Sequence, residues 1–393
     1  MEFPFDNAWI LSELSEYCAD FNRAQKEAEL EKACPISLKA VGENGFLANV
    51  YLITASFANG QLLEVVVKLC GRVLEDFEEV TVTDGFLETL HNRECLFYAR
   101  FGARTPLPIP VVYHSGPPVP GKRPGFLLME CLSGKGTSFH FSQGLSVPQL
   151  LELARFVGSM QAHSLLMEDK SWLAEFEKPN YDMLAQDEFI LRTLLRLKGL
   201  RDGVFEEEAE VLSEHVKNDF MTFSQYKLHK TLDISPVLVH GDLWTHNVMW
   251  KMENGFPSDK LERVYDFQGA HAGNPAWDLT RLLVLCTDGD VRIRYWEDVF
   301  AEYYRTLEDI LKERKVEVPF TLKRVKRCYE YIFVNQTIQF CNSLVYQEMN
   351  LQVAEVEEFP YLEARFEKVL VRAKIAVREA MQKLKTLEYS DSL

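Results

Sequence analysis

The stretch Val237-Leu238-Val239-His240-Gly241-Asp242-Leu243-Trp244-Thr245-His246-Asn247-Val248-Met249-Trp250 sets a polar centre between two short apolar runs. Such runs read as buried strands, so the centre reads as a tight loop that presents side chains at a strand end. The loop offers the carboxylate of Asp242 and, five residues on, the amide of Asn247. A second carboxylate, Asp266, follows another apolar strand in Val264-Tyr265-Asp266-Phe267. Two acids and an amide on strand ends suit one chemistry: a base for a hydroxyl proton beside oxygen ligands for Mg²⁺ on a nucleotide phosphate. In the plainer alternative, Asp242 caps a turn and Asn247 satisfies backbone groups.

The order H-x-D-x-x-x-x-N, then D-F about a hairpin later, is that of kinase catalytic loops. Protein kinases carry His-Arg-Asp there. His240-Gly241-Asp242 resembles instead the small-molecule branch, that of choline kinases and aminoglycoside phosphotransferases. Within it, His240 to Asn247, Asp266-Phe267-Gln268 and Asn274-Pro275-Ala276-Trp277-Asp278-Leu279 look most like the CHK-type, ecdysteroid kinase-like family. The resemblance runs from about residue 38 to about residue 350. It implies an α+β, two-lobe protein kinase-like fold, with a small antiparallel β lobe carrying one key helix and a large, mainly helical lobe. It also implies ATP and Mg²⁺ as cofactors and a small-molecule alcohol as substrate. Asp242 would take the hydroxyl proton, Asn247 and Asp266 would bind the metal, and Asp278 would brace the loop.

The expected divisions are a helical segment over 1–35, a nucleotide-binding small lobe over 36–132 and a catalytic, acceptor-binding large lobe over 133–393. Apolar positions Leu11, Leu14, Cys18 and Phe21 predict one amphipathic helix within 8–33. Asn59-Gly60, between β-rich runs, predicts a hairpin. The turn Gly42-Glu43-Asn44-Gly45 lies where the resembled family covers phosphates, although its two glycines do not make a full Gly-rich loop; Gly42, Asn44 and Gly45 are its candidates. Lys68 ends the apolar run Val65-Val66-Val67; alone it reads as a solvated strand end, and the resemblance makes it the phosphate lysine. A helix over 85–101 carries its expected partner, Glu94, with Glu88 as competitor. Met129-Glu130-Cys131-Leu132 resembles the interlobe hinge, where the backbones of Glu130 and Leu132 are candidates for adenine.

Beyond the hinge, Val147 to Met167 predicts a long helix whose His163 reads as a packed histidine. Three more helices are expected over 291–315, 321–349 and 358–388. Tyr329, Tyr331, Phe333 and Phe340 on the second read as core, and the last, with Lys368, Arg372, Lys374 and Arg378, as a surface helix. Trp244, Trp250 and Trp277 are further candidates for an apolar acceptor pocket.

A net charge of -16 disfavours nucleic acid and anionic membranes as partners. No obligate protein partner is evident. The N-terminus lacks a basic segment followed by an apolar run, and no apolar run approaches the roughly 18 residues of a membrane span. Eight scattered cysteines without a C-x-x-C pair suit reduced thiols in a cytoplasmic protein. The acceptor stays open between a steroid or other lipophilic alcohol and a choline- or aminoglycoside-like one, since aromatic side chains suit a quaternary ammonium as well. A catalytically silent relative that binds nucleotide is the rival from another class.

Overall fold

A computed structural model describes residues 3–28, 34–41, 48–71, 84–119, 123–177, 187–216, 218–352, 355 and 357–387. Contacts between residues divide the chain into two units: Met1–Lys135 with Tyr265–Gly269, and Gly136–Val264 with Ala270–Leu393.

In the first unit, α1 (Asn7–Tyr17) and α2 (Ala19–Glu27) precede β1 (Ile36–Ala40), β2 (Ala48–Ser56) and β3 (Leu62–Cys70), then α3 (Asp84–Phe101), β4 (Val112–Gly116) and β5 (Phe126–Glu130). The strands form one antiparallel sheet in the order β1-β2-β3-β5-β4. Period-two alternation sends Val65, Val67 and Leu69 of β3 into a core with Tyr51, Ile53, Phe126 and Leu128. Ile10, Leu14, Cys18 and Phe21 of the two helices close that core. The same alternation turns Lys68 to the opposite face of the sheet. Gly60 takes a φ of 84° between β2 and β3, as the Asn-Gly turn requires. The single helix expected within 8–33 is broken: Cys18, buried and extended at φ -101° and ψ 100°, ends α1 and starts α2, so both can follow the sheet.

The second unit opens with α4 (Val147–Leu166), started by a capping box between Ser146 and Gln149. The helices α5 (Trp172–Glu175), α6 (Asp187–Gly199), α7 (Glu206–His215) and α8 (Asn218–Thr222) follow, then a π-helical turn Phe223–Lys227 and α9 (Leu228–Thr231). Next come β6 (Val237–Val239), β7 (Val248–Glu253), β8 (Phe256–Val264) and β9 (His271–Gly273); β6 pairs with β9 and β7 with β8, both antiparallel. The chain continues through α10 (Trp277–Leu285), α11 (Gly289–Glu313), α12 (Leu322–Gln352) and α13 (Phe359–Leu384). Tyr329, Tyr331, Phe333 and Phe340 of α12 are buried core residues, as their spacing predicts.

The surface reading of α13 holds for Lys368 and Arg378, which are exposed, and fails on the opposite face of the helix. Val369, Ala373, Ala376 and Val377 are buried, and Arg372 is only 2% exposed. Its guanidinium donates to the carbonyls of Phe141 (3.0 Å) and Leu285 (2.8 Å) and to Asp288 Oδ1 (2.8 Å). Five fixed donors let arginine stay charged where lysine would strand part of its hydration. Among the described residues no helix is long and apolar enough to cross a membrane. None of the eight cysteines, all of them among the described residues, forms a disulfide.

Candidate active site

Each unit contains one cluster of the side chains that the sequence singles out. In the first unit, Lys68 Nζ lies 2.7 Å from Glu94 Oε2 and 2.6 Å from Asp266 Oδ1. Of the two acids weighed for Lys68, it is Glu94 that α3 delivers. Glu94 is 2% exposed, and its carboxylate also accepts the N–H of Phe267. The loop holding Asp266 is clamped by its neighbour, whose ring stacks on Phe97 of α3 at 3.6 Å and 5°. Asp266 adopts φ 68°, a left-handed backbone that Asp tolerates better than most residues, which aims its carboxylate at Lys68. Burial disfavours the Lys68 ammonium, but the two carboxylates outweigh it and raise its pKa. Burial raises Glu94 as well, against the pull of Lys68. A fixed ammonium between two carboxylates, one of them reachable from solvent, offers the charges that could hold phosphate oxygens and a hard cation.

The hinge candidates are partly committed within this unit. The Glu130 N–H donates to the Val111 carbonyl at 2.9 Å, and the Leu132 carbonyl accepts the Lys135 N–H at 3.1 Å. The Glu130 carboxylate accepts the Val111 N–H (3.0 Å) and pairs with Lys135 (2.5 Å). Gly42, Asn44 and Gly45 lie outside the described residues.

In the second unit the loop after β6 is held from behind. Buried Asp278, at the start of α10, accepts the N–H groups of His240 (2.8 Å) and Gly241 (3.0 Å). Gly241 has φ 85°, which a side chain would strain. Trp277 Nε1 donates to the Gly241 carbonyl at 3.2 Å, and His240 Nδ1 accepts the Asp242 N–H at 3.2 Å. His240 is thus a brace. Asn247 Nδ2 donates to the backbone carbonyl of Asp242 (2.8 Å) and to its Oδ2 (3.3 Å). That leaves Asn247 Oδ1 as the face a hard cation would use. Among the described residues no three His, Cys, Asp or Glu gather as a metal cage. Mg²⁺ on a nucleotide needs none, because it takes one or two protein oxygens beside phosphates and water.

Three residues escaped the reading of the sequence. Arg281 Nη2 lies 2.5 Å from Asp242 Oδ1, and Arg281 Nη1 donates to Gln336 Oε1 (3.0 Å) and Gln339 Oε1 (2.8 Å) on α12. One signal was there to be used: Asn335-Gln336-Thr337-Ile338-Gln339 puts three amides inside an apolar helix, and buried amides need partners. Trp250 and Trp277 are fully buried, whereas Trp244 is half-buried and touches Phe141 edge-on at 5.7 Å.

The DUF1679 family, described as "Uncharacterized oxidoreductase dhs-27", matches residues 47–370. A Caenorhabditis elegans protein of that same description is 26% identical over 318 residues, which make up 76% of this chain and 38% of that protein. The chain therefore spans well under half the length of this relative. Among solved structures, choline kinase from Cryptosporidium parvum Iowa II superposes with a TM-score of 0.52 at 13% identity, covering 97% of this chain and 99% of its own. The GDP complex of wild-type aminoglycoside 2'-phosphotransferase-IIIa gives 0.44 at 16% identity over 90% of this chain and 98% of that one. The choline kinase likeness shows the fold: α+β and protein kinase-like.

Proposed function

The chain belongs to the DUF1679 family, and from that premise we propose that it is an ATP- and Mg²⁺-dependent phosphotransferase acting on a hydroxyl of a small molecule. The observation that carries this reading is Lys68 held at 2.7 and 2.6 Å between Glu94 and Asp266. A structural ion pair needs one carboxylate; a second that is 25% exposed speaks for a ligand of opposite demand, a phosphate with its metal.

Lys68 holds phosphate oxygens, and Glu94 keeps it aimed. Asn247 and Asp266 would hold Mg²⁺, which supplies charge neutralisation on the phosphates when bound. Asp242 orients the acceptor hydroxyl and receives its proton as the new O–P bond forms and the bond from the γ-phosphorus to ADP breaks. Positioning and charge account for most of such catalysis, so this small set suffices. The acceptor we propose is a steroid or other lipophilic alcohol, in line with the ecdysteroid kinase-like motifs and with the aromatic contacts of Trp244, Phe141 and Phe340. We place the activity in the cytoplasm. The relative's name speaks for a second reading, an oxidoreductase, but it belongs to a protein of which this chain matches 38%.

The test is transfer of labelled γ-phosphate from Mg-ATP into a pool of sterols, choline-like alcohols and amino sugars, for the wild type beside Asp242→Asn. The expected result is a labelled product from the wild type and a loss of roughly 10²- to 10⁴-fold in the variant, with Mg-ATP binding retained. Equal turnover by both would remove Asp242 from the chemistry. A change in NAD(P)H absorbance on the same pool, without transfer of label, would favour the oxidoreductase.

A further inference from the structure

Arg281 on α10 is 9% exposed, and a chain of buried side chains keeps it in place. Gln339 Nε2 donates to Asn335 Oδ1 at 2.8 Å, and Asn335 Nδ2 donates to Ser224 Oγ in the π-helical turn at 2.9 Å. From that turn the relay runs through Asn335, Gln339 and the guanidinium to Asp242 Oδ1. π-Helical turns recur at functional sites. The Asp242 side chain is 31% exposed, so water could solvate it; burial alone does not call for a cation there. A flexible arginine fixed against a hydratable carboxylate has another use.

Building on the phosphotransferase reading, we propose that Arg281 is the positioning residue of Asp242 and sets the charge met there by an acceptor, admitting uncharged, oxygen-bearing alcohols and disfavouring ammonium ones. One carboxylate oxygen is committed to the guanidinium at 2.5 Å, and the other is drawn towards Asn247 Nδ2 at 3.3 Å. The carboxylate plane is thereby fixed for a hydroxyl proton. The guanidinium also cancels the negative charge that would otherwise attract a cation. Among the described residues, Arg281 Nε and Gln336 Nε2, both buried, have no hydrogen-bond partner, and they are donors suited to an oxygen, not to an ammonium.

The matched probes are choline and 3,3-dimethyl-1-butanol, alike in shape and different in charge, each offered with labelled Mg-ATP. The wild type should prefer the neutral alcohol. Arg281→Gln should move the ratio of kcat/KM values towards choline by about tenfold, the effect of removing one charge several ångströms away in a partly solvated site, with the nucleotide KM unchanged. Arg281→Lys and Gln339→Leu keep the cation but loosen its hold, so both should lower kcat and keep the wild-type preference; they carry the test if Arg281→Gln fails to fold. A wild type that prefers choline, a ratio unmoved in Arg281→Gln, or an unchanged kcat in both of the other variants overturns the inference while transfer itself stands. Absence of both Mg-ATP binding and transfer in the wild type overturns the phosphotransferase reading, and the inference with it.

Discussion

Asp278 shows what one residue can fix. Its carboxylate spans two consecutive amides, those of His240 and Gly241, from a site with no solvent exposure. Burial raises its pKa against the pull of those two N–H groups, His240 and Arg281. Asp278→Ala would leave both donors, one buried and one half-buried, without this acceptor, at a cost of about 2–4 kcal/mol. Urea unfolding of the variant should show that loss, and a change below about 0.5 kcal/mol would mean that the loop stands without it. The bracing role expected of Asp278 came from the family resemblance carried by Asn274 to Leu279, and its two backbone bonds agree with it. The pairing of Arg281 with Asp242 could not be read from the sequence: the two are 39 positions apart, and nothing in the spelling of α10 distinguishes an arginine that points inwards from one that snorkels out.

Elements were legible wherever periodicity meets burial. The alternation of β3 places Lys68 opposite the hydrophobic core, and the stripe of α12 is core throughout. Periodicity misled where a polar side chain found partners inside, as Arg372 does on α13. It also says nothing of how closely two helices approach. Gly158 of α4 lies against α11 so tightly that a Cβ would stand 2.7 Å from the Tyr303 carbonyl oxygen. Nearby, the Tyr303 hydroxyl donates to Gln161 Oε1 at 2.6 Å, and Gln161 Nε2 donates to the Pro275 carbonyl at 3.2 Å, which ties both helices to the turn before Asp278. Gly158→Ala should therefore destabilise the fold by about 1–3 kcal/mol despite the better helix propensity of alanine. A thermal melt at or above the wild-type midpoint would show that the helices separate freely.

At the scale of the molecule, two histidines, one buried and one half-buried, tie stability to acid. Burial, with Lys230 adding to it, lowers His229 to about 4, and burial with Arg365 and His246 lowers His140 to about 4. Both are neutral when folded, and the unfolded chain binds their protons first; stability is therefore complete above the unfolded pKa near 6.5 and is lost as pH falls from there towards 4. His229, 2% exposed, accounts for roughly 3 kcal/mol of that loss. Burial raises Glu94 and Asp278, which protonate more readily in the folded state and oppose part of the trend. Urea midpoints at pH 7 and pH 5 should fall for the wild type and fall less for His229→Gln; equal drops would show that His229 does not carry the effect. The sequence by itself determined the strand, loop and strand around Asp242, the Lys68 strand, the helix of Glu94 and the aspartate of the Asp-Phe turn, because short-range pattern dictates where a backbone turns and which face a side chain takes. Only the tertiary structure decided that Arg281 stands against Asp242, that α12 supplies its anchors, and that Arg372 is buried, because a buried charge is placed by partners distant in the chain.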